Sequence, residues 1–298
     1  MKKLLFLISF CIVQMTAFAQ ITAREILKQK TEADLKEIIN SSPSLTGLMA
    51  IDLTNGETIG INSDLIFTQA SAIKIPILME VYKQAHENKF ILSDIKPLVS
   101  SNIVAGSGIL NAMVDPVNLS IRNYCMLMIG LSDNSATNTL IELVGMKNVT
   151  NTMHSLGFTN TRLQRKMIDQ PASLRNEENI STPAEAAKIL KLLFDGKFID
   201  ASTSNEIVSI LLKNPIENSK IAAGVPGNVK IAFKPGGMGG VSTEWAIVYL
   251  KNRPYALAIM ENYKTSATPA TIISLISKRI FDYYYRMKAT KYGVLLEN

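Results

Sequence analysis

The sequence is short of the residues that usually announce a metal centre or a disulfide framework. Its 298 residues include two cysteines and two histidines. Cys11 falls in an N-terminal leader pattern, so only Cys125 is expected in the mature chain, and no intramolecular disulfide can form. Cys125 sits in an apolar stretch, Tyr124-Cys125-Met126-Leu127-Met128, which reads as core. His86 lies in a polar stretch and His154 precedes Ser155-Leu156-Gly157 at a helix end. Neither has neighbours that suggest metal ligation, nothing points to a Ser-His-Asp triad, and no cofactor is expected. Beyond the leader, no hydrophobic run reaches the roughly 20 apolar residues of a membrane span. The basic excess, +6 in 56 charged residues, is not clustered, which excludes the basic patches of nucleic-acid binding.

The first residues, MKKLLFLISFCIVQMTAFAQ, place two lysines before an apolar run from Leu4 to Val13 and small residues around Phe18. That is the layout of a secretory signal peptide, with cleavage after Ala19. The expected product is periplasmic or secreted, with no stable membrane insertion, and 279 residues long. Small residues of a lipoprotein site do not precede Cys11, so no lipid anchor is expected.

Leu27, Leu35, Ile38 and Ile39 form one helical stripe within Thr22–Asn40. Leu48–Leu53 and Thr58–Ile61 flank Asn55-Gly56, a hairpin signal. Helical patterns then dominate to about Leu212, clearest at Ala72–Gln84, Leu119–Leu131, Ala136–Val144 and Pro183–Phe194. Strand patterns return at Val229–Phe233, Ser242–Leu250 and Tyr255–Met260, and a last amphipathic helix covers about Pro269–Lys288. The order predicts an α+β fold: one antiparallel sheet built from both chain ends and flanked by the terminal helices, with an inserted all-α region. The expected boundaries are a leader at 1–19, an α/β domain from 20–62 and 214–298, and an all-α domain at 63–213. No repeat or flexible linker separates the two parts, so they are expected to share a fixed interface, a common place for a site.

Three short motifs carry chemistry. Ser71-Ala72-Ile73-Lys74 lies among apolar residues, unlike the similar Ser93-Asp94-Ile95-Lys96, which sits in a polar stretch. A helix would put Ser71 and Lys74 on one face, and a part-buried amine has a lowered pKa, so one reading of the two is a nucleophile–base pair. Taken alone, a lysine snorkelling to the surface is the simpler reading. Ser132-Asp133-Asn134 reads alone as a helix cap. Lys234-Pro235-Gly236-Gly237 ends a predicted strand and reads either as a close-approach site for a ligand or as part of a hairpin turn running through Gly240.

Together, in this order and spacing, the three motifs resemble those of the class A β-lactamases and related penicillin-binding serine enzymes. Gly157-Phe158-Thr159-Asn160-Thr161-Arg162-Leu163 and Ser181-Thr182-Pro183 resemble the borders of that family's Ω-loop. The resemblance covers most of the mature chain and implies the β-lactamase/DD-peptidase-like fold, with the site between the two domains. It implies that Ser71 attacks an acyl carbonyl, Lys74 accepts its proton and Ser132 relays a proton to the leaving nitrogen. Asn134 would hold the substrate amide, Lys234 would attract its carboxylate, and the N–H groups of Ser71 and Gly237 would form the oxyanion hole, with Gly236 beside them at the substrate. The expected partner is a small molecule, a β-lactam or a cell-wall peptide, and the expected state is a monomer.

The sequence departs from the family at four places. The position of the glutamate that activates the deacylating water falls on Met167; Asp169 is the nearest carboxylate, either a candidate base or a structural partner of Arg165 or Lys166, with Glu177 and Glu178 further along. Asn179 stands where an aspartate usually pins the loop. Pro235 replaces a hydroxyl residue, and Glu244 lies on the strand where an arginine often assists the substrate carboxylate. A β-lactam hydrolase using Asp169 or another base is the expected activity, while a DD-peptidase-like or other amide/ester hydrolase and a protein that acylates and stalls, or only binds cell-wall peptide, stay open at this point.

Overall fold

The computed structural model describes residues 22–295. The leader expected at 1–19 lies outside them. Among the described residues, no helix is long and apolar enough to cross a membrane.

The chain opens with helix α1 (Ala23–Asn40), started by a reciprocal capping box between Thr22 and Glu25. Strands β1 (Leu45–Asp52) and β2 (Thr58–Ile61) form the expected hairpin. A short strand β3 (Phe67–Thr68) and a 3-10 turn (Ala70–Ile73) then lead into α2 (Lys74–His86). The middle of the chain continues through β4 (Ile95–Pro97), β5 (Asn118–Ser120), α3 (Ile121–Gly130), α4 (Asn134–Val144) and α5 (Met146–Ser155). It is completed by α6 (Gln170–Leu174), β6 (Ile180–Ser181), α7 (Pro183–Phe194) and α8 (Ala201–Leu211). Strands β7 (Ile231–Met238), β8 (Val241–Val248) and β9 (Tyr255–Asn262) and helix α9 (Ile272–Arg286) close it. Side-chain oxygens of Ser120, Asp133, Thr182 and Asp200 cap α3, α4, α7 and α8, which fixes where those helices begin.

The main sheet runs β2-β1-β9-β8-β7, antiparallel throughout, so strands from the two ends of the chain join in one sheet at the β1–β9 pair, as the patterning predicts. On β9 the two faces differ in side-chain size. Tyr255, Leu257 and Ile259 of β9 pack with Leu35 and Ile39 of α1 and with Ile273, Ile276 and Ile280 of α9. The alternate residues, Ala256, Ala258 and Met260, belong to the larger core shared with the central helices. Small residues on that face of β9 meet Ala186 and Ala187 on α7, which lets helix and sheet approach closely.

Two expectations are corrected. Regular helix begins at Lys74 rather than Ala72, because Ser71 belongs to a tighter 3-10 turn entered through Ala70 at φ +43°. Residues three apart eclipse in such a turn, so Ser71 and Lys74 still share a face. The third motif does not end its strand. Strand β7 runs on through it to Met238, pairing Gly237 with Ser242 and Met238 with Val241. Proline is tolerated there because β7 is the sheet edge. Leu48 is fully buried between β1 and the terminal helices, so Leu48→Ala should cost about 2–5 kcal/mol of stability, read as a lowered urea midpoint at unchanged slope.

Candidate active site

The site lies where the free edge of β7 meets the turn before α2 and the turn before α4. Ser71, Ser107, Ser132, Asn214, Lys220, Lys234 and Gly237 line a recess of about 440 Å³. Ser71 and Gly237 also line an adjoining recess of about 200 Å³, whose other walls include Asn134, Arg165, Met167, Ile168 and Met238. All three sequence motifs thus converge on one cleft.

Lys74 is buried, and its amine does not reach bulk water. Its Nζ donates to the Ser132 carbonyl at 2.7 Å, to the Ser132 hydroxyl at 3.0 Å and to Asn134 Oδ1 at 3.0 Å. Burial holds its pKa well below the usual lysine value, with the nearby Lys234 adding to the shift and Asp133 opposing it. Lys234 is also buried and donates to the Ser132 hydroxyl at 3.1 Å and to the Pro235 carbonyl at 3.1 Å. Desolvation lowers its pKa to about 7, against the pull of Glu244. One hydroxyl therefore bridges two lysines. Ser132 reaches that position with φ at +53°, an uncommon conformation for a residue with a side chain and one that clusters at functional sites.

The turn carrying Ser71 is held by Gln69, a buried residue that the sequence did not single out. The Gln69 carbonyl accepts from Ala72 N–H at 2.9 Å and from Thr243 Oγ1 at 2.9 Å, and Trp245 Nε1 donates to its side chain at 2.9 Å. Gln69 N–H in turn donates to the Asn179 carbonyl at 2.8 Å. These ties fasten the nucleophile's turn to β8 and to the 160–180 loop. Gly236, expected at the substrate, packs against the same turn: a Cβ there would lie 2.5 Å from the Gln69 carbonyl and 2.8 Å from Ala72 N. Its backbone approach sets the distance between β7 and the Ser71 turn.

Strand register fixes which way Gly237 points. Tyr249 N–H donates to the Lys230 carbonyl at 2.9 Å, so that pair exchanges ladder bonds. In an antiparallel ladder this alternates, so residues 232, 234 and 236 bond to β8 while 235 and 237 face the open edge. Proline at 235 therefore forfeits no ladder bond, and the Gly237 N–H is turned into the cleft.

The acidic residues singled out by sequence lie elsewhere. Asp169 accepts from Ala172 N–H at 3.1 Å as the cap of α6, and it lines neither recess. The loop position above Ser71 is filled by Met167 and Ile168. Asn179 pins the loop neck, accepting from Gln164 and Arg165 N–H at 2.8 and 3.1 Å and donating to the Arg165 carbonyl at 3.1 Å. Glu244 is buried behind the cleft and accepts from Ser219 Oγ, Lys220 N and Ile221 N. Desolvation raises its pKa to about 7. It thereby anchors the segment that delivers Lys220, a cleft-lining cation the sequence gave no sign of. Lys220 Nζ donates to Ser242 Oγ at 2.6 Å. Cys125 is buried in the core, where desolvation pushes its thiol up to about 12.

Known proteins resemble this chain in sequence and in fold. An imipenem-hydrolysing β-lactamase of Enterobacter cloacae is 25% identical over 257 residues, which cover 85% of this chain and 86% of that one. The crystal structure of a β-lactamase from Sphaerobacter thermophilus superposes with a TM-score of 0.78 at 26% identity, covering 87% of this chain and 97% of that one. PBP-A has the same fold, with a TM-score of 0.78 at 21% identity over 86% of this chain and 96% of its own. The model of the beta-lactamase enzyme family matches residues 30–284. A match over that span, on a chain whose three motifs meet at the sheet edge, shows that this protein belongs to the beta-lactamase enzyme family.

Proposed function

We propose that this protein is an exported serine hydrolase that opens β-lactam rings through an acyl-enzyme on Ser71. The observation that carries the reading is the Ser132 hydroxyl held 3.0 Å from Lys74 Nζ and 3.1 Å from Lys234 Nζ, in a cleft that Ser71 shares. The β-lactamases similar to this chain support the β-lactam ring as substrate. The leader pattern at 1–19 supports a location outside the cytoplasm, with the protein acting as a monomer on a small molecule.

A neutral Lys74 has two N–H bonds and one lone pair. In that form the Ser132 carbonyl and Asn134 Oδ1 keep the two N–H bonds, and the donation to the Ser132 hydroxyl, which needs the third proton of the ammonium, is given up. The lone pair is left to accept the Ser71 proton as Oγ attacks the lactam carbonyl. The carbonyl oxygen, as it gains charge, is met by the outward N–H of Gly237 together with that of Ser71. The ring nitrogen leaves with a proton passed through the Ser132 hydroxyl. At the other end of the cleft, Lys234 and Lys220 provide the positive charge for the substrate carboxylate, and Asn134 meets its amide.

Three outcomes test this. Intact-mass measurement after mixing with benzylpenicillin should show an adduct on the wild type and none on Ser71→Ala. An adduct surviving in that variant would remove Ser71 from the mechanism, and turnover of a D-Ala-D-Ala peptide without β-lactam turnover would reassign the substrate. Lys220→Met should raise KM for benzylpenicillin about tenfold or more with little change in kcat; an unchanged KM takes Lys220 out of carboxylate binding. The pH profile follows from Lys234, charged below about 7 and neutral above it. As pH rises through that value the free enzyme loses a cation that draws the substrate in. The ratio kcat/KM for benzylpenicillin should therefore fall from about pH 6 to about pH 8.5, and a flat profile would contradict the role.

A further inference from the structure

Breaking the acyl-enzyme requires a base for the incoming water, and the cleft is built without a second one. Among the described residues lining the two recesses that meet at Ser71, none is a carboxylate. From the 160–180 loop the smaller recess is lined by Arg165, Met167, Ile168 and Asn179, and none of these side chains is a base for water at neutral pH. This wall is fixed. Asn138 Oδ1 accepts from Met167 N–H at 2.8 Å, and Asn138 Nδ2 donates to the Met167 carbonyl at 3.3 Å.

The carboxylates of the same loop are committed elsewhere. Asp169 caps α6. Glu178 accepts from Arg165 Nε at 3.0 Å and Nη2 at 2.8 Å, and from Ser173 Oγ. Glu177 accepts from Arg175 at 2.7 and 2.9 Å. Beyond the loop, Glu142 pairs with Lys166 at 3.1 Å. Releasing any of them toward Ser71 would break a helix cap or strand a cation.

Resting on the reading of Ser71 and Lys74 given above, we propose that Lys74 is the general base of both half-reactions and that the acyl-enzyme is the species that accumulates during turnover. In acylation the Ser71 proton passes to Lys74 Nζ, the Oγ–carbon bond forms, the carbon–nitrogen bond of the ring breaks, and the nitrogen receives that proton through Ser132. Lys74 is then neutral again. In the second step water attacks the ester carbon and gives its proton to Lys74 Nζ. The carbon–Oγ bond breaks, and Ser71 Oγ takes the proton back. The first step has its nucleophile fixed in the chain one turn from the base. The second must admit a free water to an amine whose N–H bonds already hold Ser132 and Asn134, with no other group to orient it. Deacylation is therefore the slow step.

The test is rapid mixing of the full mature protein with benzylpenicillin, followed by acid quench and intact mass. The expected result is a burst of ring opening of about one equivalent per protein, retained as the covalent adduct, then a steady rate at least about tenfold slower, with about nine-tenths of the protein acylated. Ser71-dependent turnover with less than about a tenth of the protein acylated overturns the inference while leaving the proposed function standing. No adduct and no product would sink the proposed function itself.

Met167→Glu and Met167→Gln give a second measurement. Hydrolysis of the isolated adduct should be at least about tenfold faster in the glutamate variant than in the glutamine variant and the wild type. Equal rates in folded variants overturn the inference, as does a tenfold or larger loss of adduct hydrolysis in Asp169→Asn. Should the glutamate variant fail to fold, the wild-type burst decides alone.

Discussion

The site depends on keeping one amine uncharged inside the protein. An isolated buried ammonium is costly, and the usual outcome is that the group gives up its charge instead. Lys74 is placed so that giving it up is useful: no carboxylate accepts from its amine, and the second buried lysine, Lys234, adds repulsion. The partners it does have are a backbone carbonyl, an amide oxygen and a hydroxyl, none of them charged, and the first two suffice for the two N–H bonds of the neutral amine. The strained backbone at Ser132 follows from the same need, since that one residue offers both its carbonyl and its hydroxyl to Lys74.

Holding these groups together takes scaffolding from distant parts of the chain. The Ser71 turn is fastened through Gln69 to Thr243 and Trp245 on β8 and to Asn179 in the loop. Asp133 fastens the second motif, capping α4 through Ala136 while its other oxygen accepts from Ile109 and Leu110 N–H at 2.7 and 2.9 Å. The capping reading and the functional reading of Ser132-Asp133-Asn134 thus describe one turn. Its middle residue caps and ties down a neighbouring loop, while the residues on either side meet Lys74. Gly236 sets the third distance by letting β7 press against the Gln69 carbonyl. Each tie joins residues far apart in sequence, so the cleft forms only when the sheet and the helices have packed.

That separation decides what the sequence could reveal. Periodicity and turn chemistry made the strands of the one antiparallel sheet and the longer helices legible, because Asn55-Gly56, Thr182-Pro183 and the α9 isoleucines are local signals. The three motifs were legible as a set. Gln69 and Lys220 were not, since nothing beside them in sequence marks a residue whose partners are 174 or 22 positions away. Helix α5 was passed over because it buries little, only Val149, Thr152 and Met153, and opens without a side-chain cap. The cap of α6 did have a signal. Asp169-Gln170-Pro171 is an acidic residue just before a helix-starting proline, the same logic that located α7 at Thr182-Pro183, and it indicated a structural post for Asp169.

The two departures at the cleft have different structural consequences. Pro235 removes a hydroxyl and an N–H, but at a register position that faces away from β8, so the sheet loses no bond. A second cation, Lys220, stands in the same recess, delivered by a segment that buried Glu244 holds through three hydrogen bonds. On the proposed reading, the carboxylate end of the cleft is therefore built with other residues. Met167 has no such counterpart. Its backbone is locked by Asn138 from both sides, and the nearby acids are tied into caps and ion pairs that hold the loop's shape. Chemistry that needs only Ser71, Lys74 and Ser132 retains all its parts, while chemistry that needs a positioned water must borrow the same lysine. On the proposed mechanism the cleft thus favours forming the ester over breaking it, and that asymmetry comes from the loop, since the nucleophile and its base are intact.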